Sequence, residues 1–413
     1  MVDVVIVGAG AAGVSAGLEL AARGVSFVIL EASDRIGGRA FTDRTSLPGH
    51  WDQGCQWFHC ANVNPLVPVA DSIGWDFERE DRLDRSMTFQ AGRFLTPAED
   101  DSEGAVLEAG INAIYAAAAA GQDLPLTAVL PQVRPAFVDF VLRLQSSEDP
   151  DKVSTLGYAD YADTNVNWVV TQGLGALIER LAIGLPVRSG VAVTGMAEGK
   201  GGVRLTTSAG VIEARAAIVT ASTNVLLSGA IDFAPGPVQA ALDLMQDLPC
   251  GAYEKLALAF DRLPFDPKDR LFCDLLTAAT ALPLDFQIVT GPTPKLIAHF
   301  GGRDARAMAA MGLADLTAHA RDALAAAFGS QAPRAVTGSA MTGWSANPWT
   351  RGAYSYARVG AGTTRIAMIG METGAIRFAG EAFSLPWHAT VHGAWQSGKD
   401  VAGDLAAGLT RTD

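Results

Sequence analysis

Apolar residues at the start of the chain form short runs separated by glycines, a pattern that indicates alternating strands and helices. Val2–Val7 is a continuous, mostly β-branched run, as expected of a strand buried on both faces of a parallel sheet. The glycine-rich turn Gly8–Gly13, a helical stretch from Ala11 to about Arg23 and a second buried run at Ser26–Glu31 follow. Strand, glycine turn, helix and strand within about 30 residues predict a βαβ unit.

The rest of the chain alternates between helical segments and short strands. Residues 76–165 are richer in charge and in helix formers, which favours a largely helical segment inserted into the first domain. Short apolar runs bounded by turn residues predict strands at Val191–Met196, Val203–Thr207, Val211–Ala214, Ala217–Thr220, Glu254–Phe260, Leu296–Phe300 and Ile376–Ala379. Helices are predicted within Asn167–Leu181, near Ala314–Phe328 and from about Thr390 to Leu405.

Length, charge and cysteine usage narrow the class of protein. A chain of 413 residues is longer than one hydrophobic core usually organises, so two domains are expected. The net charge of −13 leaves no basic excess to neutralise phosphates, which argues against a nucleic-acid partner. The N-terminal stretch lacks the basic region of a signal peptide, and no apolar run is long enough to cross a membrane. The four cysteines form no C-x-x-C pair, so we expect no metal site, no disulfide framework and a cytoplasmic location.

The glycine turn has the G-x-G-x-x-G spacing that binds dinucleotides. Gly8 permits the tight turn, Gly10 lets the backbone approach a pyrophosphate, and Gly13 lets the helix pack closely on the sheet. The N-terminus of the helix presents free N–H groups to the phosphates. Glu31 ends the second strand, where a carboxylate accepts hydrogen bonds from a ribose diol. The alternative is a glycine-rich turn that binds no nucleotide.

The residues directly after Glu31 read Ala-Ser-Asp-Arg-Ile-Gly-Gly-Arg and end at Arg39. With Glu31 they resemble the E-A-x-x-R-x-G-G-R segment of the flavin-containing amine oxidase superfamily, and the motifs as a set are nearest to those of polyamine oxidases. The resemblance implies FAD as the cofactor, with Arg35 and Arg39 meeting phosphate charge. It also implies a cofactor contact from Val193, in a predicted strand of the same domain.

A second similarity covers Trp51–His59, which resembles the polyamine-oxidase segment that passes beside the flavin ring. It implies that Gly54, Gln56 and Trp57 contact the cofactor and that His59 lies near the substrate amine. The alternative for His59 is a purely structural histidine.

The segment Tyr253–Phe260 resembles the strand that carries the active-site lysine of the superfamily, which is Lys255 here. An inward-facing ammonium flanked by apolar residues would be desolvated, and its pKa would be lowered. The resemblance implies that Lys255 acts through a water near flavin N5 and assists the reaction with oxygen. An exposed strand lysine is the alternative.

The most specific similarity is at Trp344–Tyr356, which resembles the W-x-x-x-P-aromatic-x-R-G-small-Y-S-Y signature of polyamine oxidases and flavin histone lysine demethylases. It implies that Trp349 contacts the cofactor and that Tyr354 lines the amine site, where a ring face orients an amine. Ala353 stands where monoamine oxidases have the cysteine that bonds the flavin. FAD is therefore expected to be held without a covalent link.

The last similarity is in two C-terminal segments, Phe378–Glu381 and Thr390–Gly398, which resemble the superfamily's C-terminal flavin site. It implies that Glu381 meets the ribityl chain or the pyrophosphate. Monoamine oxidases place a second tyrosine where this chain has Thr390, which weakens the case for an aromatic sandwich. The residues implied to contact FAD here are Gly380, Glu381, Thr390 and Val391.

Together these features predict an α/β fold in which a Rossmann-like FAD-binding domain of the GR2 type is interleaved with an α+β substrate-binding domain. The predicted FAD domain comprises residues 1–75, 167–243 and 337–413, and the substrate domain comprises 76–166 and 244–336.

The resemblance implies an FAD-dependent amine oxidase. A hydride passes from an amine C–H to flavin N5, the imine hydrolyses to an aldehyde, and dioxygen reoxidises the flavin and becomes H2O2. A desaturase or dehydrogenase acting on a non-amine, and a non-catalytic flavoprotein module, are the alternatives. The sequence leaves open whether the amine is a polyamine, a monoamine, an amino acid or a cyclic amine, whether dioxygen is the physiological acceptor, and whether the chain forms a homodimer.

Overall fold

The computed structural model describes residues 2–80, 85–276 and 282–409, which contain two large β-sheets and the helices that cover them. Met1 and residues 410–413, the ends of the predicted FAD domain, lie outside the described residues. The α/β class is as the sequence predicted, with one sheet that is largely parallel and Rossmann-like and one that is mostly antiparallel. No helix among the described residues is long and apolar enough to span a membrane.

The first sheet is built around the strand Val2–Val7, which pairs in parallel with Phe27–Leu30 on one side and Gly210–Val219 on the other. From Val4 to Val7 its side chains are apolar on both faces because helices cover the sheet. The helix Ala11–Ala22 packs there against the final helix, Val391–Leu409. In order across the sheet, the strands are Asp232–Phe233, Val193–Gly199, Gly202–Thr207, Gly210–Val219, Val2–Val7, Phe27–Leu30 and Val187–Arg188, and Ile376–Phe378 also pairs with Gly210–Val219.

One strand prediction in this sheet was wrong. The separate strands predicted at Val211–Ala214 and Ala217–Thr220 are a single strand, Gly210–Val219. Its first half pairs antiparallel with Gly202–Thr207, and its second half pairs in parallel with Val2–Val7. The polar Arg215 interrupts the apolar pattern without ending the strand, because its side chain ion-pairs with Asp3.

The second sheet presents one face to a long helix, Gly302–Phe328, which is kinked at Gly312 with a φ of 76°. Its strands are antiparallel except where Phe272–Leu276 meets Thr88–Gln90. In order, they are Val336–Met341, Tyr253–Phe260, Lys295–Gly301, Leu284–Val289, Phe272–Leu276, Thr88–Gln90 and Arg93–Phe94.

The inserted segment predicted to be largely helical contributes two strands as well, Thr88–Gln90 and Arg93–Phe94. Its first helix, Pro97–Ala119, has Thr96 as its N-cap residue. The Thr96 hydroxyl accepts a hydrogen bond from the Glu99 N–H in a capping box. The other helices of the described chain are Leu66–Ser72, Ala136–Ser146, Thr155–Ala159, Leu174–Leu181, Thr223–Leu226, Val238–Met245 and Thr364–Ile369. Two small ribbons pair Thr42–Asp43 with Trp51–Asp52 and Trp57–Phe58 with Trp168–Val169.

The division into two domains stays a proposal, and strand pairing bears on one of its boundaries. The predicted FAD domain resumes at residue 337, yet Val336–Met341 pairs antiparallel with Tyr253–Phe260 in the second sheet. We therefore propose that the boundary follows Met341.

Candidate functional site

A cavity of about 1350 Å³ is lined by residues of both sheets. At one end it reaches the glycine turn after Val2–Val7, and at the other it reaches Lys255 on the second sheet. All the predicted site residues except Gly13 line it: Gly8, Gly10, Glu31, Arg39, Gly54, Gln56, Trp57, His59, Val193, Lys255, Trp349, Tyr354, Gly380, Glu381, Thr390 and Val391. The structure thus brings together residues that lie up to 383 positions apart in the chain, from Gly8 to Val391.

The glycine turn has three different steric requirements. Gly8 has a φ of +102°, a conformation that favours glycine. A Cβ at Gly13 would lie 1.9 Å from the Gly8 carbonyl oxygen, so only glycine lets the helix start this close to the turn. A Cβ at Gly10 would meet no protein atom nearer than the Gly37 carbonyl oxygen, at 3.8 Å. Packing within the protein does not require glycine at Gly10, whereas close approach of a ligand to the backbone would.

The acidic and basic residues beside this turn differ in whether other protein groups supply their hydrogen-bond partners. Glu31 accepts hydrogen bonds from the Ala9 N–H at 2.7 Å and from the Ser33 N–H at 2.9 Å. The Arg35 guanidinium lies 4.1 Å from the centroid of the Phe41 ring, and its Nη1 is buried with no hydrogen-bond partner among the described residues. Burial lowers the pKa of Arg35, although the Glu31 charge opposes this. An anion in the cavity would supply the missing acceptor.

Arg39 is held by protein groups. Its Nη1 donates to Glu381 Oε1 at 2.9 Å and to the Ala353 carbonyl. Glu381 also accepts from the Ser355 hydroxyl at 2.7 Å and from the Ala389 N–H at 3.0 Å. Burial would raise the pKa of Glu381, but the charges of Arg39 and Arg365, together with the hydrogen bonds from Ser355 and Arg39, outweigh it and the pKa is lowered. These contacts fix the cavity wall, and a direct phosphate contact from Arg39 stays a prediction.

Lys255 is buried at the base of the cavity with all three ammonium protons donated. Nζ lies 2.9 Å from the Asp52 carbonyl oxygen, 2.6 Å from that of Gly54 and 2.8 Å from Gln56 Oε1. Burial lowers the pKa of Lys255 to about 8, although the Asp52 carboxylate opposes this. Lys255 therefore faces inward, as the sequence predicted, and ties the second sheet to the segment 52–56.

Asp52 connects this segment to the helix Leu174–Leu181. Its carboxylate accepts from the Leu174 N–H at 2.9 Å and from the Thr42 hydroxyl, so it satisfies the N-terminus of the helix Leu174–Leu181. Burial raises the pKa of Asp52, against the hydrogen bond from Thr42. The segment that carries Gly54 and Gln56 is thereby anchored on both sides.

Aromatic side chains surround the Lys255 end. Tyr354 donates its hydroxyl to the Leu144 carbonyl, and its ring centroid lies 5.8 Å from that of Tyr253. His59 Nδ1 lies 2.7 Å from Asn167 Oδ1, within hydrogen-bond distance. Burial raises the pKa of Tyr354 well above its ordinary value, so the hydroxyl stays protonated.

Sequence reasoning missed three polar residues that line the same cavity: Asp274, Asp285 and His299. Each lies on a strand of the second sheet, and His299 Nδ1 is 2.8 Å from the Tyr253 hydroxyl. Burial, and secondarily the charge of Lys255, lowers the pKa of His299 well below its ordinary value. The available signal was a polar residue inside an otherwise apolar strand, where burial of a charge requires a partner or a function.

Comparison of the sequence with known proteins identifies its relatives. It matches the family described as flavin containing amine oxidoreductase over residues 11–152 and 151–406. Lysine-specific histone demethylase 2 of Homo sapiens is 26% identical over 446 residues, which cover 98% of this chain and 53% of that protein. Polyamine oxidase 4 of Oryza sativa subsp. japonica is 26% identical over 432 residues, which cover 96% of this chain and 87% of that protein. The chain spans about half the length of the demethylases it matches.

Solved structures show the same fold. Cyclohexylamine oxidase from Brevibacterium oxydans IH-35A superposes with a TM-score of 0.83 and 22% identity, covering 99% of this chain and 100% of that one. Wild-type putrescine oxidase bound to putrescine gives a TM-score of 0.81 and 20% identity, covering 98% and 99%. The fold is that of amine oxidases, and because the family match extends over nearly all of the sequence, the chain belongs to the flavin containing amine oxidoreductase family.

Proposed function

We propose that the chain binds FAD without a covalent link and oxidises an amine, with dioxygen as the electron acceptor. The observation that carries this proposal is the single cavity that joins the glycine turn to buried Lys255. Bound FAD would take a hydride from the amine C–H and pass the electrons to dioxygen, leaving an imine that hydrolyses to an aldehyde and forming H2O2. The structural likeness to a putrescine oxidase with putrescine bound supports a small amine as substrate.

The residues present fit a dinucleotide at the first-sheet end. Gly10 leaves room for a pyrophosphate against the backbone, and the helix Ala11–Ala22 directs its N-terminus toward it. Arg35 has a donor to offer to a phosphate or a ribose oxygen. Trp349, Thr390 and the other predicted contacts except Gly13 line the same cavity.

A non-covalent link is supported by the chemistry of the nearby thiols. Ala353 offers no nucleophile at the position where the resemblance places the flavin-bonding cysteine. Cys55 lines the cavity, but burial raises the pKa of its thiol to about 12, and burial also raises that of Cys250. Both stay protonated near neutral pH, which makes them poor nucleophiles.

At the second-sheet end, the residues of this chain would bind and orient the amine. The rings of Tyr253 and Tyr354, whose centroids lie 5.8 Å apart, would exclude water and present faces to the substrate. Burial beside Lys255 disfavours a second cation there, so the reacting amine would be held in its neutral form. We propose that His59, Lys255 and Tyr354 act on the substrate.

We also propose a cytoplasmic location, which the four free cysteines suit.

The experiment that tests this proposal is anaerobic mixing of the purified flavin-containing protein with a panel of amines, followed by visible absorbance. Bleaching by an amine, reversed with release of H2O2 when air is admitted, is the expected result. Bleaching by a compound with a saturated C–C bond that the protein converts to an alkene, but by no amine, would favour a desaturase. A bound flavin that no substrate bleaches would favour a non-catalytic module.

A further inference from the structure

A row of polar side chains crosses the second sheet on the face that lines the cavity. Lys255 pairs directly with His299, His299 with Asp285, and Asp285 with Asp274, one residue from each of four adjacent strands. Directly opposed residues lie on the same face of a sheet, and all four line the cavity. Since adjacent strands lie roughly 4.8 Å apart, Asp285 and Asp274 lie roughly 10 and 14 Å from Lys255 between Cα atoms. The cavity therefore has a basic end and an acidic end.

Among the described residues, no lysine or arginine side chain forms an ion pair with Asp274 or Asp285. Asp274 is almost fully buried, and Thr88 Oγ1 lies 3.5 Å from its carboxylate. Within residues 2–80, 85–276 and 282–409, Asp285 has only the Asp274 carboxyl as a side-chain hydrogen-bond partner and forms no ion pair. Lys255 does not neutralise the pair, because two backbone carbonyls and Gln56 hold its ammonium two strands away.

Two carboxyls in contact in a buried site cannot both ionise without a large cost. Burial raises the pKa of Asp274 well above its ordinary value, and the charge of Asp285 raises it further. Burial also raises the pKa of Asp285, to about 6. Near neutral pH the pair thus shares one proton and has a net charge close to −1, which one ammonium would neutralise. The carboxylate of Asp100 adds negative charge nearby, and the Arg270 cation acts on Asp100.

The surroundings suit an aliphatic chain between the two ends. The ring centroid of Trp57 lies 5.6 Å from that of His299 and 6.3 Å from that of Phe272, which precedes Asp274 by two residues on the same strand. Its indole N–H is buried with no partner in the described part of the chain. An apolar linker would pack on these rings, while polar groups at both of its ends would meet polar side chains.

We propose that the substrate is an amine with a second cationic group, such as a diamine, whose distal ammonium is bound by Asp274 and Asp285. The reacting amino group then lies at the Lys255 end, where burial favours its neutral form. This inference rests on the amine oxidation proposed above and makes the two aspartates specificity-determining residues.

The test compares α,ω-diamines of increasing length with the alkylamines of the same length in anaerobic flavin reduction. The wild-type protein is expected to prefer at least one diamine by roughly 30-fold or more in the second-order reduction rate, since a buried charge pair is worth at least about that factor. The double variant Asp274→Asn/Asp285→Asn removes the charge while keeping the side-chain shape. It is expected to lose the preference, because its rate with diamines falls toward its own rate with alkylamines of the same length.

The single variant Asp274→Asn is the matched control. It keeps one ionisable carboxylate and an N–H donor to Asp285, so its net charge equals that of the native pair, and it is expected to retain the preference. Calorimetric titration of the dithionite-reduced protein, which cannot turn over, with putrescine and with butylamine measures binding separately from activity. Tighter putrescine binding by wild type than by the double variant is expected.

Equal reduction by diamines and alkylamines in wild type would overturn this inference and leave amine oxidation standing. A preference for diamines that survives in the double variant would also overturn it. A protein with bound flavin that neither class reduces would contradict the proposed function itself. Thermal unfolding of each variant checks that the substitutions leave the fold intact.

Discussion

The two ends of the cavity are assembled from the chain in different ways. The first-sheet end is formed largely by neighbouring residues, since the glycine turn and Glu31 through Arg39 belong to one βαβ unit. The second-sheet end depends on the register of strands that begin at Tyr253, Phe272, Leu284 and Lys295. A local motif can therefore identify the cofactor, whereas the substrate contacts become visible only when the strands are paired.

The two ends also differ in charge. Arg35 and a helix N-terminus offer donors at the first-sheet end, which suits a bound anion. Asp274 and Asp285 offer a carboxylate at the far end, which suits a bound cation. Substitutions at the first end should change FAD retention, and substitutions at the second should change amine kinetics while FAD stays bound.

The largest effect is expected from Gly13→Ala. The new Cβ would lie 1.9 Å from the Gly8 carbonyl oxygen, and backbone cannot move aside as a flexible side chain would. We expect the purified variant to lack flavin. Its free energy of unfolding should be about 3 kcal/mol lower than that of wild type. Visible absorbance relative to protein, and chemical denaturation, measure the two effects.

The control for this variant is Gly104→Ala, in the exposed part of the helix Pro97–Ala119. A Cβ there meets no atom within 4 Å, and alanine favours the helix by up to about 1 kcal/mol. The control should have a normal flavin content. A normal flavin content in Gly13→Ala as well would contradict the role given to the turn.

The second prediction concerns Lys255→Met. The variant should keep bound FAD, because Lys255 lies at the second-sheet end, but its turnover should fall by about 100-fold. Stopped-flow traces with amine and with oxygen measure each half-reaction. Lys295→Met is the control, because Lys295 is also buried in this sheet but does not line the cavity. In the described part of the chain, its Nζ donates only to the backbone and hydroxyl oxygens of Thr293. Wild-type rates in both half-reactions would remove Lys255 from the mechanism.

The third prediction uses the pKa of Lys255 in the folded protein. It is about 8, below the ordinary value of 10.5, so between these pH values the unfolded chain binds more protons than the folded one. The free energy of unfolding of wild type, relative to Lys255→Met, should therefore rise by about 2 kcal/mol from pH 8 to pH 10. Chemical denaturation at both pH values measures the difference. A difference that stays constant or falls would show that the folded lysine keeps an ordinary pKa.

Much of this architecture follows from the sequence, and what does not has a physical cause. Val2–Val7 and the helix from Ala11 were predicted because short-range apolar patterning fixes them. Thr88–Gln90 was missed because three residues carry too little pattern, and they become a strand by pairing with Phe272–Leu276. Asp274 and Asp285 were missed for a different reason, since they meet only through the register of their strands.

The smallest effect is expected from Arg35→Met. Methionine keeps much of the apolar contact with Phe41 and removes the buried donor that lacks a protein partner. If that donor serves a phosphate or ribose oxygen, FAD affinity should fall about tenfold, while the reduction rate of the FAD-saturated variant by amines stays within about twofold of wild type. Fluorescence titration of the apoprotein with FAD measures the affinity, and Arg44→Met, which removes an exposed ion pair to Glu179, is the control. Unchanged FAD affinity with slowed amine oxidation would mean that Arg35 serves the substrate end, and the two ends of the cavity would then not be separable.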